Sequence, residues 1–153
     1  MDFLYRSNTL TIESDKKTIE FLPQSVLLDG LTLEMSWEYE KWGFLAYAHE
    51  DNESLIFQIT IEGYHVGYIP SLVTDISTAS LDFLGDLDIL IMPTGKGSAG
   101  VIDKIEPRLI VTYGETAHEL ATHLGISELP LVKYRFKEAD LSLEKAGCVV
   151  MGE

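Results

Sequence analysis

Apolar and polar positions change rhythm halfway along the chain. The first half alternates with period two, the pattern of strands with one buried face. Thr9 to Ser14 alternates, with Leu10 and Ile12 on one side. Asp15, Lys16 and Lys17 mark a turn, and Thr18 to Leu22 follows as a partner strand. Residues 23 to 36 are less regular and turn at Asp29-Gly30. Trp42 to Ala48 predicts a further strand. Ser54 to Ile61 reads SLIFQITI, and Glu62-Gly63 turns it into Tyr64 to Ile69. Pro70 ends that strand, because proline has no N–H for the ladder.

The second half alternates strands with helices. Ile76, Ala79, Ser80, Phe83 and Leu84 fall at helical spacing, started by Thr74 or Asp75 and stopped by Gly85. Leu87 to Met92 (LDILIM) and Arg108 to Tyr113 (RLIVTY) are apolar runs suited to strands buried on both faces. Between them lie a glycine-rich loop, Pro93 to Gly97, and a short helix, Ser98 to Ile105, ended by Pro107. Thr116 and Glu119 have capping-box spacing before an apolar face of Ala117, Leu120, Ala121 and Leu124, with Gly125 as the stop. Leu131 to Phe136 and Cys148 to Met151 read as final strands. There is no internal repeat, low-complexity tract or linker, so the expectation is a single domain over residues 1–153. It is antiparallel β first and β-α-β-α-β afterwards.

Composition narrows the function classes. A chain of 153 residues can bury a core without metal or disulfide staples. Its one cysteine, Cys148, excludes an internal disulfide. The net charge of -14 repels phosphate backbones and anionic lipid heads. The basic residues Lys16, Lys17, Lys133, Arg135 and Lys137 form no continuous track. The expectation is therefore no nucleic-acid partner and no membrane partner. The opening residues have no basic stretch leading into an apolar run, which points away from a secretory signal and toward the cytoplasm.

Several segments carry a family likeness. SWEYEKWGF at 36 to 44 resembles a proline-glycine-EYE-x-x-glycine element. NESLIFQITIEGYHVGYIPSL at 52 to 72 resembles a hairpin that leads to HLGDL. LDILIMPTGKG at 87 to 97 resembles "VDILLVPVGG", and IEPRLIVTY at 105 to 113 resembles the strand entering "PMHY". The ending, KEADLSLEKAGCVVMGE, is also similar. In this order the segments resemble the small zinc-dependent hydrolases of the metallo-β-lactamase superfamily. That resemblance implies an α/β (α+β) fold, here a truncated αββα sandwich.

The family's metal ligands are replaced. No HxHxDH segment is present, and residues 23 to 38 hold no histidine. The ligand positions of HLGDL read Tyr68 and Ser71, and that of PMHY reads Gly114. Zinc needs three or four converging His, Cys or carboxylate ligands. His65 stands three residues before Tyr68 on one strand, so it faces the other way. His118 and His123 lie in HELATH, one residue longer than HExxH. At about 100° per residue they sit about 140° apart, on opposite flanks of the apolar face. His49 falls in the segment YAHEDNES, read as a surface loop. No cofactor and no metal site are expected.

Other candidate chemistry is thin. Gly95-Lys96-Gly97-Ser98 lacks the spacing of a phosphate-binding P-loop. Asp86 and Asp88 share a face at a strand entry. Trp37, Tyr39, Trp42, Phe44 and Tyr47 are read as mostly core, with any exposed subset marking a contact surface. The expectation is a catalytically inactive, metal-free domain that binds itself or another protein. The alternative is a metal-independent small-molecule binding protein or hydrolase. It would use the former active-site rim of Tyr68, Ser71, Thr94, Gly95, Lys96, Tyr113, Gly114, Glu115 and His118.

Overall fold

The computed structural model describes residues 1–33, 38–41, 43–51, 54–126, 129–141 and 146–153. Trp37 and Trp42, and the side chain of Tyr39, lie outside what is described. The strands form two sheets. The first contains β1 (Asp2–Arg6), β2 (Thr9–Ser14), β3 (Lys17–Phe21), β4 (Val26–Leu28) and β5 (Leu31–Leu33), each antiparallel to the next. The second opens with an antiparallel run of β6 (Glu38–Lys41), β7 (Phe44–Asp51), β8 (Ser54–Ile61) and β9 (Tyr64–Tyr68). It continues in parallel with β10 (Ile89–Pro93) and β11 (Leu109–Tyr113). The short strand β12 (Lys133–Arg135) returns to the first sheet beside β1, and β13 (Gly147–Val150) completes the second beside β11.

Among the described residues, four two-residue turns set hairpin registers. Ser7-Asn8, Asp15-Lys16, Asp29-Gly30 and Glu62-Gly63 all have positive φ at both positions. That is the type I′ geometry whose twist matches the flanking strands. Asp29-Gly30 and Glu62-Gly63 are legible as turns in the sequence. Ser7-Asn8 is not, so β1 is an addition to the sequence reading. The segment 23–36 likewise supplies β4 and β5, where only irregular chain was expected.

The sandwich has one core between its sheets and another under its helices. Leu10, Ile12, Ile19 and Phe21 of the first sheet meet Phe57, Ile59, Val66, Ile89, Ile91 and Val111 of the second. The opposite face of the second sheet offers Ile56, Leu90, Met92 and Ile110 to three helices. These are α1 (Thr78–Leu84), α2 (Ala99–Ile105) and α3 (Ala117–His123). Each buried side chain of this size contributes about 1.5–3 kcal/mol relative to exposure. The outer face of the first sheet carries Thr11, Glu13, Thr18 and Glu20, and no described helix covers it. The sandwich is thus truncated in its fourth layer. No helix among the described residues is long and apolar enough to cross a membrane.

Helix starts differ from expectation. The cap of α1 is Ser77, whose Oγ accepts from the Ser80 backbone N–H at 3.2 Å, not Thr74 or Asp75. Asp75 instead pairs with Lys104 on α2 at 2.6 Å. The capping box at α3 does not form. Thr116 makes no cap bond; its hydroxyl donates to the Thr94 carbonyl at 2.8 Å.

Gly67 shows how closely α1 and the connection after it press on β9. A Cβ there would stand 2.4 Å from Leu87 Cδ1 and 3.2 Å from Leu84 Cδ2, both on buried side chains. Gly67→Ala should therefore destabilise the fold by about 1–3 kcal/mol. Urea denaturation of the purified variant would show this as a lower midpoint at unchanged slope.

Candidate functional site

Strands β9, β10 and β11 run parallel, β10 and β11 ending opposite each other and β9 two residues earlier. Their following loops therefore open at the same edge of the sheet, the place where α/β folds collect functional groups. This placement brings most of the candidate residues into one region. The structure then divides them between the two faces of the sheet.

Tyr68 and Tyr113 point between the sheets. Tyr68 is 1% exposed and lies against Phe21 and Phe57, with ring centroids 4.9 and 5.9 Å away. Its hydroxyl donates to the carbonyl of Leu22, just past the end of β3 in the first sheet, at 2.6 Å. Tyr113 is half-buried beside Tyr5, and its hydroxyl reaches the Tyr68 oxygen at 3.5 Å. The chain of donors runs from Tyr113 through Tyr68 to Leu22 and ties the sheets together. Burial pushes the Tyr68 phenol far above its ordinary value, with the neighbouring Tyr113 adding to the shift. Burial also pushes Tyr113 up, to about 12, against the hydrogen bond to Tyr68 that lowers it.

Thr94, Gly95 and Lys96 belong to the other face. Thr94 Oγ1 lies 2.6 Å from Thr112 Oγ1 in a fully buried pair. Gly95 donates its N–H to Ser98 Oγ at 2.9 Å, and Ser98 is itself buried. With the Thr116 bond to Thr94, these contacts hold residues 94–98 in one conformation. A Cβ on Gly95 would stand 3.0 Å from Thr116 Oγ1, so the close approach suits glycine. Gly114 has φ of +100°, which lets the chain turn out of β11. Ser71, Gly114 and Glu115 are exposed.

Lys96 and His118 line an open groove of about 530 Å³ with Gly95, Ala99, Glu119, Leu120, Thr122 and His123. His118 and His123 both line this groove, from the two flanks of the apolar face on which their spacing places them. Thr122 and Glu119 project between them around the helix, so all four belong to the polar side that the groove follows. Glu119 and His123 were not anticipated as site residues. Glu119 is free to face the groove because the capping box does not form.

The remaining histidines are elsewhere. His65 is exposed on β9, while Tyr68 of the same strand is buried, as alternation requires. His49 lies in strand β7 rather than in a loop, stacked on Phe83 of α1 at 5.0 Å. Asp88 accepts from the His65 N–H and from Arg108, while Asp86 is exposed. Cys148 is buried.

The arrangement is that of the metallo-β-lactamase type: facing mixed sheets, with helices over the sheet whose strand ends carry the candidate site. The model of the beta-lactamase superfamily domain matches residues 10–125, and the chain belongs to that family. A similar solved structure is that of a Thermotoga maritima protein classed as a predicted Zn-dependent hydrolase of the metallo-β-lactamase superfamily. It is 16% identical, with a TM-score of 0.79 over 99% of this chain and 98% of that one. No curated protein sequence matches. At the three positions where the resemblance places ligands stand a buried phenol, an exposed serine and a glycine. Among the described residues no three His, Cys, Asp or Glu side chains are placed to hold a metal ion. This donor set does not fit zinc.

The tyrosine pair has a pH signature. Both folded phenols ionise above the ordinary value of 10.0, so the unfolded chain releases protons first as pH rises. Their contribution is complete below about pH 10 and falls away as pH rises from there toward the folded values. The urea midpoint should drop over that range. Tyr68→Phe should flatten the drop and cost about 1–3 kcal/mol at neutral pH by leaving the Leu22 carbonyl unpaired.

Proposed function

We propose that the chain is a binding or assembly module on a hydrolase fold, without metal-dependent hydrolysis of its own. The observation that carries this reading is Tyr68. Where the resemblance places a family ligand, a phenol is buried between the sheets and spends its hydroxyl on Leu22. A group committed in this way to packing and a backbone acceptor is poorly placed to receive substrate.

A protein partner is favoured by the segment before β12. Among the described residues five large apolar side chains are exposed, and Leu129, Leu131 and Val132 are three of them. Leu129 is 85% exposed and Val132 54%. Clustered exposure of this kind marks contact surfaces more often than isolated residues do. Lys133, Arg135 and Lys137 follow at once and are also exposed. Lys133 and Arg135 reach Asp2 at 3.4 and 3.2 Å. On a chain of net charge -14, a local basic stretch beside an apolar one fits an acidic partner face. A second copy of the chain supplies such a face, so self-association is the form to test first.

Sedimentation velocity should show a dimer or larger species that loosens with added salt. Leu129→Glu with Val132→Glu should return it to monomer without lowering the melting temperature. A monomer at every concentration would overturn self-association. Elemental analysis bears on the inactive reading separately. Less than about one tenth of a metal per chain, with a melt indifferent to chelator, is expected. Near-stoichiometric metal with a chelator-sensitive melt would reject that reading.

A further inference from the structure

The groove between residues 95–99 and α3 has a composition unlike the rest of the surface. The chain carries 25 acidic residues against 11 Lys and Arg and four His. In the groove that ratio reverses: Lys96, His118 and His123 face a single carboxylate, Glu119. Half of the chain's histidines are therefore gathered at one place. None of these four side chains enters a hydrogen bond or ion pair among the described residues, so their polar atoms remain available. Thr122 is different, since its hydroxyl is spent on the His118 carbonyl at 2.9 Å.

The remaining lining is apolar. Ala99, half-buried, offers its methyl to the wall, while Leu120 beneath it is 1% exposed and roots the helix in the core. One side of the groove is rigid, held by the Thr116 bond to Thr94 and the Ser98 bond to Gly95. A pre-formed concavity with an apolar wall and a few convergent polar groups has the features of a small-molecule site.

We propose that this groove binds a small organic anion, its carboxylate or phosphate near Lys96 and the imidazoles and its apolar body against Ala99. Glu119 sets the limit of the attraction, since it repels the same anion. The site is independent of the assembly reading, which rests on Tyr68 and residues 129–132, none of which lines the groove.

The test uses phenyl phosphate, phenylacetate and benzylamine as probes of one ring with different charge. Ring-proton shifts of His118 and His123 are followed by NMR, assigned through His118→Gln and His123→Gln. Expected is saturable binding of at least one anion with a dissociation constant of about 1 mM. The tighter of the two anions tells whether phosphate or carboxylate is preferred. Lys96→Gln should weaken binding, and Glu119→Gln should tighten it, each by about twofold to fivefold, the range of one solvent-screened charge pair. Opposite responses at these two positions are the signature of the groove. Three results would overturn the proposal: no shift with either anion, equal shifts with benzylamine, or affinities untouched by both variants. Unchanged melting temperatures exclude misfolding as the source of any effect.

Discussion

The second sheet has to bury both of its faces, and most of the architecture follows from that requirement. Ile89, Ile91 and Val111 cannot be covered by the same layer as Leu90, Met92 and Ile110, because alternate side chains leave a strand on opposite sides. One layer must be the first sheet and the other must be helical. Parallel strands also need crossovers, and α1, α2 and α3 serve as crossovers and cover together. Gly67 records the tightness of that cover.

The same parallel ordering sets the end of the sheet at which chemistry could gather. Tyr68, Thr94 and Gly114 lie at the same end of neighbouring strands, yet they do not form a single pocket. Side-chain parity sends Tyr68 and Tyr113 between the sheets, whereas Thr94 and Thr112 meet under the helices. Tyr68 fills the space on its side and connects to Leu22. On the helix side, open volume remains beyond Gly95. The structure therefore closes one part of the candidate rim and opens another.

A single hydroxyl links these local choices. Thr116 has the position of a helix cap but donates to Thr94 instead. That bond steadies the 94–98 loop and releases Glu119 from a reciprocal cap. One side of the groove is thus shaped by the same displacement that leaves Glu119 to line it. Tertiary competition for a donor outweighs the local motif here, since a cap and a buried loop carbonyl offer bonds of similar strength.

What the sequence determined by itself was most of the elements and the residue types at the positions where the resemblance places ligands. SLIFQITI, LDILIM and RLIVTY state their burial through period and apolar content, and Glu62-Gly63 states its turn through glycine. The absence of ligand residues at 68, 71 and 114 is likewise a fact of composition. Local signals were weaker for Ser7-Asn8, for β4 and β5, and for His49, whose place in β7 depends on pairing with Ile56. Tertiary structure alone decided which way each rim residue faces, that Tyr68 bonds across the sandwich, and that His118, Glu119 and His123 share a groove with Lys96. These depend on contacts between segments far apart in the chain, and no local periodicity encodes which donor reaches a buried acceptor first.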